Sequence, residues 1–138
     1  MYEPPKRRKL TKAEREKVYA ICGGHCAYCG MPIELKDMQV DHVVPMGFCD
    51  AYQAIGVEPD SMDSMDNYLP ACRSCNHYKS TFTLEKFRKA IERYPIVLER
   101  DSATYRNAVR FGMVEPKKKK IRFYFEQIDV EVPSLEWR

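Results

Sequence analysis

Two matched cysteine pairs, Cys26-Ala-Tyr-Cys29 and Cys72-Arg-Ser-Cys75, constrain this chain more than any other feature. Two Cys-x-x-Cys hooks far apart in sequence close a tetrahedral thiolate cage when the chain folds back on itself. That ligand set is a structural zinc site, with no open position for a substrate. A single hook can also be a redox dithiol, but redox pairs do not come as two matched copies. The cage would pin two distant segments and fix the geometry of what lies between them. Between them lie the dipeptide Asp41-His42 and, just before the second hook, Asn67.

A chain of 138 residues fits one domain with short tails, and a metal staple suits so modest a core. Hydrophobic content of 44% and charged content of 31% are ordinary for a globular protein. The net charge of +3 identifies no nucleic-acid binder by itself, but its distribution is uneven. Lys6-Arg7-Arg8-Lys9 and Lys117-Lys118-Lys119-Lys120 flank a compact middle, which suits phosphate contact as well as it suits solvated ends. The opening residues Met1-Tyr2-Glu3-Pro4-Pro5-Lys6-Arg7 have no signal-like apolar core, and no stretch approaches membrane-spanning length. A reducing cytoplasm is the expected setting, where cysteines are metal ligands or buried thiols before they are disulfides. Cys22 and Cys49 remain outside the pairs. Cys22 is expected on the buried side of a helix, and it and His25 are the substitutes at the metal if the ligand set is misassigned.

The chain is expected to comprise a flexible basic arm over 1–10, a zinc-stapled core over 11–82, and a helical extension with a C-terminal strand segment over 83–138. Thr11 and Glu14 have capping-box spacing, so a helix should begin at Lys12, run through Val18 and Ile21, and stop near Gly23-Gly24. Met38 to Val44 reads as a strand ended by Pro45. Residues 46–66 form a long irregular insertion, with a short helix expected over 51–55. A short helix should carry Asn76, His77 and Lys79. Leu84, Phe87, Ala90, Ile91 and Tyr94 recur at helical spacing, with Thr83 as N-cap and Pro95 as stop. A further helix spans Ala103 to Phe111, capped by Ser102 and ended by Gly112. Ile121, Phe123 and Phe125 alternate as a strand would, and Ile128, Val130 and Val132 resume on the opposite parity.

The residues held between and beside the hooks carry chemistry. Asp41 and Asn76 offer hard oxygen ligands suited to Mg²⁺ or Mn²⁺. His42 offers an imidazole able to take a proton from water near neutrality. On a regular strand Asp41 and His42 point to opposite faces, so one site can use both only if the strand bends or the metal sits at its end.

These segments, Cys26-Ala-Tyr-Cys29-Gly30, Val40-Asp41-His42-Val43-Val44-Pro45, Asp66-Asn67-Tyr68-Leu69-Pro70 and Cys72-Arg-Ser-Cys75-Asn76-His77-Tyr78-Lys79, closely resemble the HNH endonucleases. More narrowly, they resemble the four-cysteine, zinc-stapled kind common in phages and bacteria. The resemblance covers about residues 15 to 80. It implies an α+β fold built on a ββα-metal finger, two short strands and a helix around one catalytic divalent ion. It further implies His42 as general base, Asp41 and Asn76 as ligands of the catalytic ion, and Asn67 as the residue that orients His42. His77, next to Asn76, stays open as a ligand. The 46–66 insertion departs from the family's shorter glycine-rich loop and leaves the entrance to the site undefined.

The expected activity is metal-dependent DNA cleavage, as nicks or double-strand breaks, with Lys79, Arg73 and Lys117 to Lys120 as phosphate contacts. A zinc-stapled nucleic-acid-binding module without catalysis is the rival, separated from it by Asp41, His42 and Asn76, which mere binding does not need. A zinc-dependent protein adaptor is the second rival. The helices from Thr83 to Phe111 and the tail strand suit DNA docking or dimerisation, and the partners expected besides DNA are a second copy of the chain or other phage-type proteins.

Overall fold

The computed structural model describes residues 7–46, 54, 56 and 62–132. The chain divides into two compact units. One runs to Leu84 and takes in the segment from Phe123 onward; the other is Glu85–Arg122.

In the first unit, helix α1 (Lys12–Ile21) starts where its capping box requires. The Thr11 hydroxyl accepts from the Glu14 N–H at 3.2 Å, and the Glu14 carboxylate accepts from the Thr11 N–H at 3.0 Å. The helix ends at Cys22, and Gly23 and Gly24 follow at positive φ. Its buried face carries Val18, which packs with Met38 and Tyr68 in a core that Leu10, Tyr19, Ile33 and Val40 partly cover. Arg15 fastens this helix by donating to the carbonyls of Leu35 and Met38 at 3.0 and 3.1 Å.

Strands β1 (Gln39–His42) and β2 (Tyr68–Ala71) form an antiparallel pair in which Asp41 faces Leu69 and His42 faces Tyr68. Helix α2 (Arg73–Lys79) follows β2 directly. The order strand, strand, helix, with four cysteines gathered beside it, fits a small ββα-metal architecture. β1 is shorter than the expected Met38–Val44. Beyond His42, the Val43 N–H donates to the Asn67 carbonyl at 2.9 Å, and the Asn67 carboxamide takes both backbone groups of Val44. A side-chain amide thus replaces the next rung of the ladder. β2 was hidden in the sequence by Pro70, which has no N–H to give. Each strand of a two-stranded sheet is an edge, so that loss is tolerated, and the Pro70 carbonyl accepts from Ala27 at 2.9 Å. The short helix expected over 51–55 falls, but for Ala54, outside the described residues, as does Cys49.

The expected C-terminal strand is not present among the described residues. Its place is taken by a single-turn helix, Tyr124–Gln127, numbered α6 in chain order. Phe123 and Phe125 are both buried, as their alternation suggests, but they pack edge-on against Tyr28 at 5.2 and 6.2 Å. The N–H groups of Tyr124 and Phe125 bond to the carbonyls of Tyr28 and Ala27, so this segment closes over the first hook. Glu126 then accepts the Phe123 N–H and curls the chain into a turn.

The second unit holds α3 (Leu84–Glu92), α4 (Tyr94–Asp101) and α5 (Ala103–Arg110). Pro95 does not stop a helix; it sits in the first turn of α4, where a missing N–H costs nothing. α5 matches expectation: the Ser102 hydroxyl accepts from Tyr105 at 3.1 Å, and Gly112 follows at φ +73°. Arg106 reaches back to the carbonyls of Glu99 and Arg100 at the end of α4, at 2.8 and 3.0 Å.

No helix among the described residues is long and apolar enough to cross a membrane.

Candidate metal centre and active-site cleft

The four paired cysteines come together. Their sulfurs all lie within 4.8 Å of one another, and Cys29 and Cys72 are 3.9 Å apart. A disulfide needs about 2.0 Å, whereas a zinc tetrahedron with bonds of about 2.3 Å has edges of roughly 3.8 Å. The set therefore fits zinc. Gly30 completes the first hook: its N–H donates to the Cys26 carbonyl at 2.9 Å with φ at +79°, and a Cβ there would stand 3.0 Å from the Tyr124 ring. Cys72 caps α2 with its sulfur, which accepts from the Cys75 N–H at 3.4 Å. A hydrogen bond from Cys75 draws the Cys26 thiol down against the effect of its burial, while burial pushes the Cys29 thiol up and the bond to Cys26 raises Cys75. Neither of the two substitutes, Cys22 and His25, belongs to the cluster. Burial pushes the Cys22 thiol up to about 11, and the His25 ring bonds to the Gly30 carbonyl at 3.0 Å.

Beside the cage, Asp41, His42 and Asn76 line one cleft of about 150 Å³, together with Arg7, Ser80 and Thr81. The strand alternation holds, and the two neighbours share the cleft because it opens at the end of β1. Asp41 is 4% exposed. It receives the Tyr28 hydroxyl on Oδ2 and pairs with the Lys79 ammonium, 3.0 Å from Oδ2 and 3.4 Å from Oδ1. Burial pushes the Asp41 carboxyl up, and the Lys79 charge and the Tyr28 hydroxyl resist that rise. Burial likewise lowers the Lys79 ammonium, against the pull of Asp41. The Asn76 side chain is half-buried and makes no hydrogen bond among the described residues. Asp41 Oδ1 and the Asn76 carboxamide oxygen are hard donors of the kind a small divalent cation takes.

His42 lies on the other face of β1, edge-on to Tyr68 at 5.2 Å, with Nε2 2.9 Å from Asp63 Oδ1. Asn67 does not touch the imidazole. It is 2% exposed, and its carboxamide accepts from the Val44 N–H at 2.9 Å and donates to the carbonyls of Val44 and Met62 at 2.9 and 2.6 Å. It shapes the turn after His42 rather than the ring.

Lys79 requires a correction. Its side chain is fully buried, with Nζ donating to the His42 carbonyl at 2.9 Å as well as to Asp41, so it is not open to a phosphate. The sequence reads it as a surface cation because only the folded packing supplies its carboxylate. Arg73 and His77 are exposed on α2, and His77 does not line the cleft. Lys117 to Lys120 lie in the second unit, exposed, and line a groove of about 860 Å³ with Glu92, Glu99 and Tyr105. The expected flexible arm is held where it is described. The Arg8 side chain pairs with Glu14 at 2.5 Å and lies 5.9 Å over the Tyr68 ring, its backbone N–H bonds to Asp63, and Leu10 packs on the core. Sequence reasoning missed Tyr28 and Asp63. Asp63 was one of several acids in the insertion, and nothing local distinguishes it.

No family model matches the chain, and no curated protein matches it. Among solved structures the chain is similar to the Type II-C Cas9 enzyme from Actinomyces naeslundii, with a TM-score of 0.45 and 20% identity. The match covers 76% of this chain and 11% of that one, so the chain spans about a tenth of that protein's length. At that TM-score and identity, the likeness assigns no function.

Proposed function

We propose that the chain is a divalent-metal-dependent endonuclease of the HNH kind that hydrolyses phosphodiester bonds in DNA. One observation carries the reading: a buried carboxylate, an imidazole and an uncommitted carboxamide, Asp41, His42 and Asn76, line a single cleft braced by the four-cysteine cluster. A non-catalytic binding module needs no such set. Asp41 and Asn76 would hold Mg²⁺ or Mn²⁺, which supplies positive charge to the phosphate and to the departing oxygen. His42 takes the proton from the attacking water. Lys79 and Tyr28 hold the Asp41 carboxylate in place, and Asn67 fixes the backbone that carries the imidazole. Arg7, on the cleft wall, and Arg73, exposed on α2, would be the cations that meet phosphate. Zinc at the cysteines has no open position and holds structure only.

The test is supercoiled plasmid incubated with the zinc-loaded chain, with and without Mg²⁺ or Mn²⁺, beside His42→Ala. Ion-dependent nicking that falls roughly a hundredfold to ten-thousandfold in the variant, with DNA retention unchanged, is the expected result. Intact plasmid with every ion, but DNA retained at low salt, would turn the reading to the binding module.

A further inference from the structure

We propose that Asp63 is the positioning residue of the His42 imidazole: its carboxylate accepts the Nε2–H and leaves Nδ1 as the ring's proton-accepting atom. The catalytic half of this inference rests on the nuclease reading above; the hydrogen-bond half does not.

The surroundings of the Asp63 carboxylate give the bond its direction. Asp63 sits in the insertion, 21 residues after His42, and only the fold brings Oδ1 to 2.9 Å from Nε2. Two further donors converge on the same carboxylate: the Tyr68 hydroxyl at 2.5 Å on Oδ1 and the Arg8 backbone N–H on Oδ2. These two donors, one on each oxygen, favour the ionised carboxylate, and an ionised carboxylate can only accept. Burial works to raise the Asp63 carboxyl, but the bonds from Tyr68, His42 and Arg8 hold it below its usual range. The nitrogen facing it must therefore carry hydrogen. In a neutral imidazole, the opposite nitrogen then has the lone pair. Nδ1 of His42 has no hydrogen-bond partner among the described residues, and His42 lines the cleft. Tyr68 limits the ring's freedom from the side, its plane at 88° to the imidazole. Orientation and tautomer are thus set by one carboxylate, and the role that Asn67 does not fill at the ring is filled by Asp63.

A bland alternative is that the contact only fastens the end of the insertion to the sheet. Asp63→Asn separates the two: it keeps the size of the side chain, but its amide cannot accept from all three donors. Asp63→Glu restores a carboxylate. In the zinc-loaded full chain, nitrogen-resolved NMR at a pH above the imidazole's titration should show one downfield, slowly exchanging His42 proton on Nε2. That signal should disappear in Asp63→Asn and return in Asp63→Glu. Plasmid cleavage by Asp63→Asn should lose about tenfold to a hundredfold in kcat with KM unchanged, and Asp63→Glu should recover part of it. A His42 proton on Nδ1, or an Nε2 proton indifferent to Asp63→Asn, overturns the proposal. So does a loss in Asp63→Asn that appears wholly in KM or in melting temperature. If wild type leaves plasmid intact while the Nε2 signal still depends on Asp63, the hydrogen bond stands and the nuclease reading alone falls.

Discussion

The two units of this chain keep order by different means. The first surrounds polar groups with apolar ones. Val18, Met38, Tyr68, Phe123 and Phe125 are buried, and so are Asp41, Asn67 and Lys79, each with partners. The second is a set of short helices in which α4 and α5 bury no residue fully, while Ile96, Leu98, Phe111, Met113 and Val114 are exposed. Its side-chain ties run to backbone groups: a serine cap and Arg106 on the end of α4, both local, and Arg88 across 33 residues on the Ile121 carbonyl at 2.8 Å. Leaving a buried polar group unpaired costs far more than removing an interaction at the surface. The first unit should therefore be the one where single substitutions decide whether the chain folds, and the second should be tolerant.

Four experiments would break or sharpen that contrast, beginning with the largest effect. Cys26→Ser, or chelation of the wild type, should unfold the cysteine-braced unit, because binding at such a site contributes on the order of 10 kcal/mol. Thermal melting with zinc quantified in the same sample checks this, and a melt indifferent to chelation would refute it. Lys79→Met should cost about 3–5 kcal/mol in urea unfolding, since it leaves the Asp41 carboxylate buried beside Tyr28 alone. Adding Asp41→Asn should recover part of that, and two purely additive losses would show that the pair does not interact. Asn67→Ala should cost roughly 2–3 kcal/mol, because it strands the N–H and carbonyl of Val44 and the carbonyl of Met62. Hydrogen exchange at Val44 should rise with it. Replacing Lys117 to Lys120 by glutamine should leave stability within about 0.5 kcal/mol. If these lysines meet DNA, the same variant should lower the log–log salt slope of binding by about 0.9 for each phosphate no longer neutralised.

The same contrast explains what the sequence made legible. The hooks, the Thr11 capping box and the Ser102 cap are local patterns whose partners sit three residues away, so spacing alone reveals them. Asp41, His42 and Asn76 were singled out through a resemblance that rests on short local motifs, and the fold brings all three to one cleft. What depended on distant partners was not visible. Lys79 looks like any surface lysine until Asp41 is placed 38 residues away in sequence. β2 contains a proline, which argues against a strand unless the sheet is known to have only two. Pro95 could end one helix or open the next, and the turn at Arg93 chose the second. Phe123 and Phe125 alternate like a strand, yet the backbone between them bonds to the first hook rather than to a neighbouring strand.

Asn67 makes the molecule sensitive to a change of a single atom. Its carboxamide nitrogen faces two carbonyl oxygens, those of Val44 and Met62, deep inside the first unit. Conversion of this carboxamide to the aspartate carboxylate would put an anionic oxygen where both neighbours require a donor, with almost no change in shape. That single change would therefore open the turn behind the imidazole, and the chain could lose its fold while every cysteine remained intact.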